Sequence, residues 1–150
     1  MAQADSATEV YDVLIVGAGL SGIDAAYRLR ERNPDLKYAM LERRERIGGT
    51  WDLFRYPGVR SDSDIFTLSF PWNPWRGTRL MAQGDEIRDY IEQSARDFGI
   101  YQHIVFRTEM LGANFDTTTD LWTVDAIVDG EPRTFQTRFL YMCTGYYRYD

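Results

Sequence analysis

The chain has 150 residues, 44% hydrophobic and 27% charged, which suits one globular domain with a buried core, or a piece of one. A net charge of −6 argues against nucleic acid or an anionic membrane surface as the main partner, and no apolar run approaches the length of an integral membrane segment. Cys143 is the only cysteine, so no internal disulfide is possible; it lies in an apolar run, reads as a buried core thiol and fits a reducing cytoplasmic setting.

Residues 1–9 lack the basic start and apolar core of a signal peptide and read as a disordered tail. Residues 11–16 form a short apolar strand. Gly17, Gly19 and Gly22 follow it as G-x-G-x-x-G, opening a helix over residues 21–32 with Ile23, Ala26, Tyr27 and Arg30 on one face. Asn33-Pro34 ends that helix, because proline cannot continue the hydrogen-bond ladder. A second apolar strand covers residues 37–41 and is followed by Glu42, twenty residues after Gly22.

This strand–turn–helix–strand unit with a distal acid is a dinucleotide fingerprint. Gly17 permits the tight turn, Gly19 lets a pyrophosphate approach the backbone, and Gly22 lets the helix pack close to the strand. The helix N-terminus, including Ser21, offers N–H groups to phosphate. Glu42 can accept hydrogen bonds from ribose hydroxyls and repels a 2′-phosphate. The ligand expected is FAD or NAD rather than NADP; a glycine-rich turn without a ligand is the plainer alternative.

Residues 47–60, with Gly48-Gly49 and Tyr56-Pro57-Gly58, read as loop. Arg43, Arg44 and Arg46, interleaved with Glu42 and Glu45, read as a solvated loop rather than a nucleic-acid patch. The proline-broken aromatic stretch 66–75 is expected to be irregular. Residues 85–98 show helical spacing at Ile87, Tyr90, Ile91, Ala95 and Phe98, with Asp85 as N-cap and Gly99 as C-cap. Beyond Gly99 the period becomes two. Ile104, Phe106, Leu121, Trp122, Val124, Ala126 and Phe135 are assigned to short strands, with turns at 117–120 and 129–132. The run 139–145 reads as a buried parallel strand. The fold class expected is α/β: an incomplete Rossmann-like FAD-binding fold over residues 10–150 with a small antiparallel β-meander.

Two further segments, Gly48-Gly49-Thr50-Trp51 and Arg55-Tyr56-Pro57-Gly58-Val59-Arg60-Ser61-Asp62, join the opening motif. Together they resemble class B flavin monooxygenases, the Baeyer–Villiger and flavin-containing types, and within them the bacterial thioamide-activating branch. The resemblance covers residues 10–150 and corresponds to the N-terminal, FAD-binding portion of such enzymes. It implies an NADPH- and O2-dependent flavoprotein that oxidises ketones or oxygenates sulfur or nitrogen through a flavin C4a-peroxide. The implied substrates are small ketones, sulfides or thioamides.

The same resemblance implies site roles. Gly48 and Gly49 would let a loop run close over the ribityl and pyrophosphate, Thr50 would supply a hydroxyl and a backbone N–H, and Trp51 and Leu53 would give apolar cover near the isoalloxazine. Arg60 and Ser61 would lie where the nicotinamide approaches. Asp62, the one catalytic candidate, would contact the flavin site and help orient a catalytic arginine. Met110 would meet the adenine region through its backbone. Trp51 also suits a core aromatic, Asp62 a helix cap near Ser63, and Arg60 a surface cation; Phe66, Phe70, Trp72 and Trp75 suit a core or domain interface.

No second G-x-G-x-x-G exists in the sequence, and F-x-G-x-x-x-H-x-x-x-W is absent. His103, four residues after Gly99, reads as an ordinary linker residue, and one histidine with one cysteine leaves no metal site. The NADPH-binding part is therefore expected to be absent from the chain; the resemblance also implies a further strand for the FAD domain from a distal part of the sequence, whose absence would leave a hydrophobic sheet edge open. Two alternatives stand beside the monooxygenase reading: an FAD-binding module without activity, and an NAD-dependent reductase.

Overall fold

The computed structural model describes residues 9–147. Most of the tail expected at 1–9 lies outside the described residues. One six-stranded sheet has the order β3-β2-β1-β6-β5-β4. β1 (Val10–Val16) pairs in parallel with β2 (Tyr38–Leu41) on one side and β6 (Glu131–Met142) on the other. The short β3 (Ile104–Val105) extends β2 in parallel. β4 (Thr108–Asp116), β5 (Leu121–Val128) and β6 form the antiparallel meander.

The short strand expected at Phe135 and the parallel strand expected from residue 139 are not separate. β6 is one twelve-residue strand, and its first half continues the meander while its second half completes the parallel sheet. This dual pairing lets the meander curl back over one face. There Val124, Ala126 and Phe135 pack with Leu14, Ala39 and Leu41. On the other face, Val13, Ile15, Tyr38 and Met40 meet α1 (Leu20–Arg32) and α4 (Gly84–Asp97). Alternate residues of β1 thus serve two cores, as the two-residue period of a strand requires.

Two expected elements move. The helix predicted from Asp85 starts at Gly84, with Gln83 as its N-cap, and the Glu86 carboxylate accepts the Gln83 N–H at 2.9 Å. Phe98 is the C-cap, and Gly99 follows at φ +64°, where glycine suits the left-handed turn. The run 139–145 is largely exposed, and none of its residues is buried: Phe139 is 67% and Tyr141 54% exposed. Their register partners are Val13 and Ile15, so they share the α1 face. Among the described residues, α1 covers β1 there and nothing covers β6.

The stretch 66–75 is more ordered than expected. It begins within a short helix, α3 (Ile65–Leu68), capped by Asp64, whose carboxylate accepts the Thr67 N–H at 2.8 Å. Asp62 is thus not the cap. Phe70 and Trp72 stack at 4.4 Å, and Trp72 stacks on Tyr27 of α1 at 4.0 Å. Trp72 Nε1 donates to Asp24 at 2.8 Å, and Tyr90 of α4 donates from its hydroxyl to the Asn73 carbonyl at 2.6 Å. This segment ties α1 to α4, so its aromatics are structural; Phe66 alone stays half exposed.

Gly22 is the tightest point of α1. A Cβ there would overlap the Gly17 carbonyl oxygen, whereas one at Gly58 meets nothing within 4 Å. Gly22→Ala should therefore destabilise the chain by about 1–3 kcal/mol or more. Gly58→Ala, strained only by its positive φ, should cost about 1 kcal/mol. Urea denaturation of both variants against the parent chain checks the order.

Candidate functional site

The carboxyl ends of β1, β2 and β6 meet at a cleft of about 430 Å³, the usual ligand position in an open parallel sheet. Val16, Leu41 and Cys143 mark the strand ends, and Gly17, Gly19, Leu20 and Ser21 form one wall. The N-terminus of α1 opens here. Gly19 is its N-cap, no side chain caps it, and its first turn holds no acid. Its leading N–H groups and partial positive charge are left for an anion.

Gly48, Gly49, Thr50 and Trp51 form the facing wall. They are not all loop: Thr50–Leu53 is a short helix, α2. A Cβ on Gly49 would lie 3.0 Å from the Gly19 Cα, and Gly49 has φ +54°. The two glycine turns therefore approach backbone to backbone. A Cβ at Gly17 would overlap the Cys143 carbonyl oxygen, so the ends of β1 and β6 are equally close. The cradle left between these turns suits a pyrophosphate, which needs exposed N–H groups and no side chains.

Glu42 lies in the same cleft and is 7% exposed. Its Oε2 accepts the Ala18 N–H at 2.8 Å and its Oε1 the Arg44 N–H at 2.9 Å. Burial pushes its pKa up, against the pull of those two N–H groups and the Arg44 charge. The carboxylate is thus locked in place while each oxygen keeps a further lone pair. Met110 and Thr108 of β4 line this end as well. β4 is held there because the Thr108 N–H donates to the Glu42 carbonyl at 2.9 Å.

The structure brings Gly17, Gly19, Ser21, Glu42, Gly49, Thr50, Trp51 and Met110 together around the cleft. Gly22 packs beneath the turn. Leu53 is half buried and, with Arg60, Ser61 and Asp62, falls outside the residues that line the cleft. The cause for the last three is local hydrogen bonding. The Ser61 N–H donates to the Ala82 carbonyl at 2.9 Å, and the Gly84 N–H donates to the Val59 carbonyl at 2.9 Å. The Ser61 hydroxyl accepts the Ala82 N–H at 3.1 Å. These bonds stitch residues 59–61 to the start of α4. Asp62 is exposed.

Two residues gain importance. Cys143 is half buried at the cleft wall rather than in the core, and burial raises its thiol pKa. Asp52, unremarked in the sequence, is 3% exposed. Its Oδ2 meets Arg44 Nη1 at 3.3 Å and its Oδ1 meets Arg55 Nη2 at 2.9 Å. Its carbonyl also accepts Arg55 Nε at 2.9 Å. Arg44 is therefore no solvated loop cation: its backbone holds Glu42 while its side chain holds α2. An acid between two arginine-bearing loops was the available sequence signal.

Two outcomes are expected. Asp52→Asn should lower stability by about 1.5–3 kcal/mol, the range for hydrogen bonds to charged groups, as read by urea denaturation. Glu42 gives a pH signature. Its folded pKa is raised, so the folded chain holds that proton more tightly than the unfolded one. Its contribution to stability is complete below the unfolded value near 4.5 and is lost as pH rises through the folded value. Glu42→Gln should remove that component when denaturation is followed from pH 4 to 7.

Residues 15–82 match the model of an NAD(P)-binding Rossmann-like domain. The FAD-containing monooxygenase EthA of Mycolicibacterium smegmatis is 48% identical over 143 residues, 95% of this chain and 29% of that protein. Among solved structures, an oxidised steroid monooxygenase bound to NADP superposes with a TM-score of 0.83 at 32% identity, covering 91% of this chain and 26% of the other. OTEMO in complex with FAD and NADP gives 0.79 at 28% identity, over 90% and 26%. The chain thus spans under a third of the length of the relatives it matches. Over that span the chain is similar in sequence to FAD-containing monooxygenases and in fold to solved monooxygenases.

Proposed function

We propose that the cleft binds FAD and that the chain is the FAD-holding portion of an NADPH- and O2-dependent monooxygenase. The observation that carries this reading is the Gly19–Gly49 backbone approach over the uncapped start of α1, with the Glu42 carboxylate fixed in the same cleft. The names of the relatives support it, EthA as FAD-containing and OTEMO as a complex with FAD and NADP.

Gly17, Gly19, Ser21, Gly49 and Thr50 would hold the pyrophosphate. Glu42 would accept the ribose hydroxyls, and Met110 would border the adenine. Trp51 would exclude water beside the flavin, with Leu53 supporting it from behind. Bound flavin supplies the redox and oxygen chemistry, and the residues here bind, orient and shield it. Arg60, Ser61 and Asp62 would serve the outer, nicotinamide-facing side, with Asp62 as a positioning residue. Small ketones, sulfides or thioamides are the proposed substrates of the whole enzyme, and the cytoplasm its proposed setting. Among the described residues no helix is long and apolar enough to cross a membrane.

One Gly-rich phosphate turn serves one dinucleotide, and this favours a second reading for the chain by itself: cofactor binding without turnover. The purified chain should take up FAD in preference to NAD, read by flavin fluorescence and visible absorbance. Glu42→Ala should weaken FAD about tenfold or more, since it removes charged hydrogen-bond acceptors. Preference for NAD would favour a reductase instead, and no uptake of FAD would overturn the reading. NADPH oxidation coupled to ketone or sulfide turnover by the chain alone would overturn the second one.

A further inference from the structure

The cleft has a far end that the glycine turns do not explain. Beyond Glu42 it is bordered by Arg43 and Arg44 on one side and by Thr108, Glu109 and Met110 on the other. The two sides are laced by backbone hydrogen bonds. The Glu42 N–H donates to the Val105 carbonyl at 2.9 Å, and the Arg107 N–H donates to the Arg44 carbonyl at 3.0 Å. This lacing sets Arg43 opposite Glu109, and their side chains pair across the gap at 3.6 Å. Strand alternation explains the choice of residue on β4: Thr108 is buried, so Glu109 points outward to meet Arg43.

A dinucleotide with its pyrophosphate at Gly17–Gly19 and a ribose on Glu42 has only this end left for its adenine. Resting on the proposed function above, we infer that Arg43 and Glu109 are positioning residues for the adenine. Arg43 contributes a flat, permanently charged guanidinium, a group that stacks on aromatic rings. Glu109, through the ion pair, fixes where that plane lies. An exposed pair at this distance adds little to folding, so its loss should leave stability nearly unchanged while any effect on ligand binding remains readable.

The test compares ligands with and without the adenosine half. Dissociation constants for FAD, ADP and FMN are measured on the parent chain, on Arg43→Ala and on Glu109→Gln. Arg43→Ala should weaken FAD and ADP about 3- to 10-fold and leave FMN unchanged. Glu109→Gln should show the same selectivity with a smaller loss, and neither should shift the melting temperature measurably. Unchanged FAD and ADP binding, or an equal loss for FMN, would overturn the inference while leaving the cleft assignment standing. A parent chain that binds neither FAD nor ADP would instead overturn the assignment on which the inference rests.

Discussion

At the end of β1 the chain packs backbone against backbone in three directions. Gly17 lies against the Cys143 carbonyl, Gly22 against the Gly17 carbonyl, and Gly19 against Gly49. The first two contacts would be closed by a single methyl group, and the third would be forced apart. Together they bring the start of α1, the end of β6 and the start of α2 to one point. A parallel sheet by itself leaves a crevice at its carboxyl ends. These close approaches turn the crevice into a cradle lined by peptide groups, which is the surface a pyrophosphate can use.

Charge is distributed so that this cradle stays receptive to an anion in a chain whose net charge is −6. The nearest acids are already engaged. Asp52 faces Arg44 and Arg55, and Glu42 faces two backbone N–H groups. Arg44 belongs to both arrangements, which makes it the mechanical link between the acid end of the cleft and the α2 wall. A buried carboxylate without such partners would protonate or destabilise the fold. With them, Asp52 fixes the angle at which Trp51 and its neighbours meet the cleft.

The sequence was most legible where a residue type has one physical use. Glycines with forced spacing, an acid after the second strand and a helix with 3.6-residue periodicity all lie where expected. It was least legible in three places. β4 was missed because its inward residues, Thr108, Met110 and Ala113, interleave with Glu109, Gly112 and Asn114, and a bulge between Met110 and Gly112 breaks the alternation. The uncovered half of β6 was called buried because apolar composition does not say which neighbour covers a face. Arg60, Ser61 and Asp62 fall outside the cleft lining, and their placement depends on hydrogen bonds to residues 82–84, which no local pattern announces.

If the cleft holds a ribose as proposed, Glu42 would join fold and ligand through one proton. Its burial raises its pKa, while the N–H groups of Ala18 and Arg44 pull the other way. Two hydroxyl donors of a ribose would occupy the remaining lone pairs and add to that pull, favouring the ionised form. Binding and proton release are then linked: the ligand lowers the pKa, and raising the pH tightens binding until the carboxylate is fully ionised. A ribose 2′-phosphate could not take part, since it replaces a donor by a second anion against a carboxylate that the backbone does not allow to swing away. In the proposed complex, selectivity against a phosphorylated ribose would follow from the rigidity of Glu42 as much as from its charge.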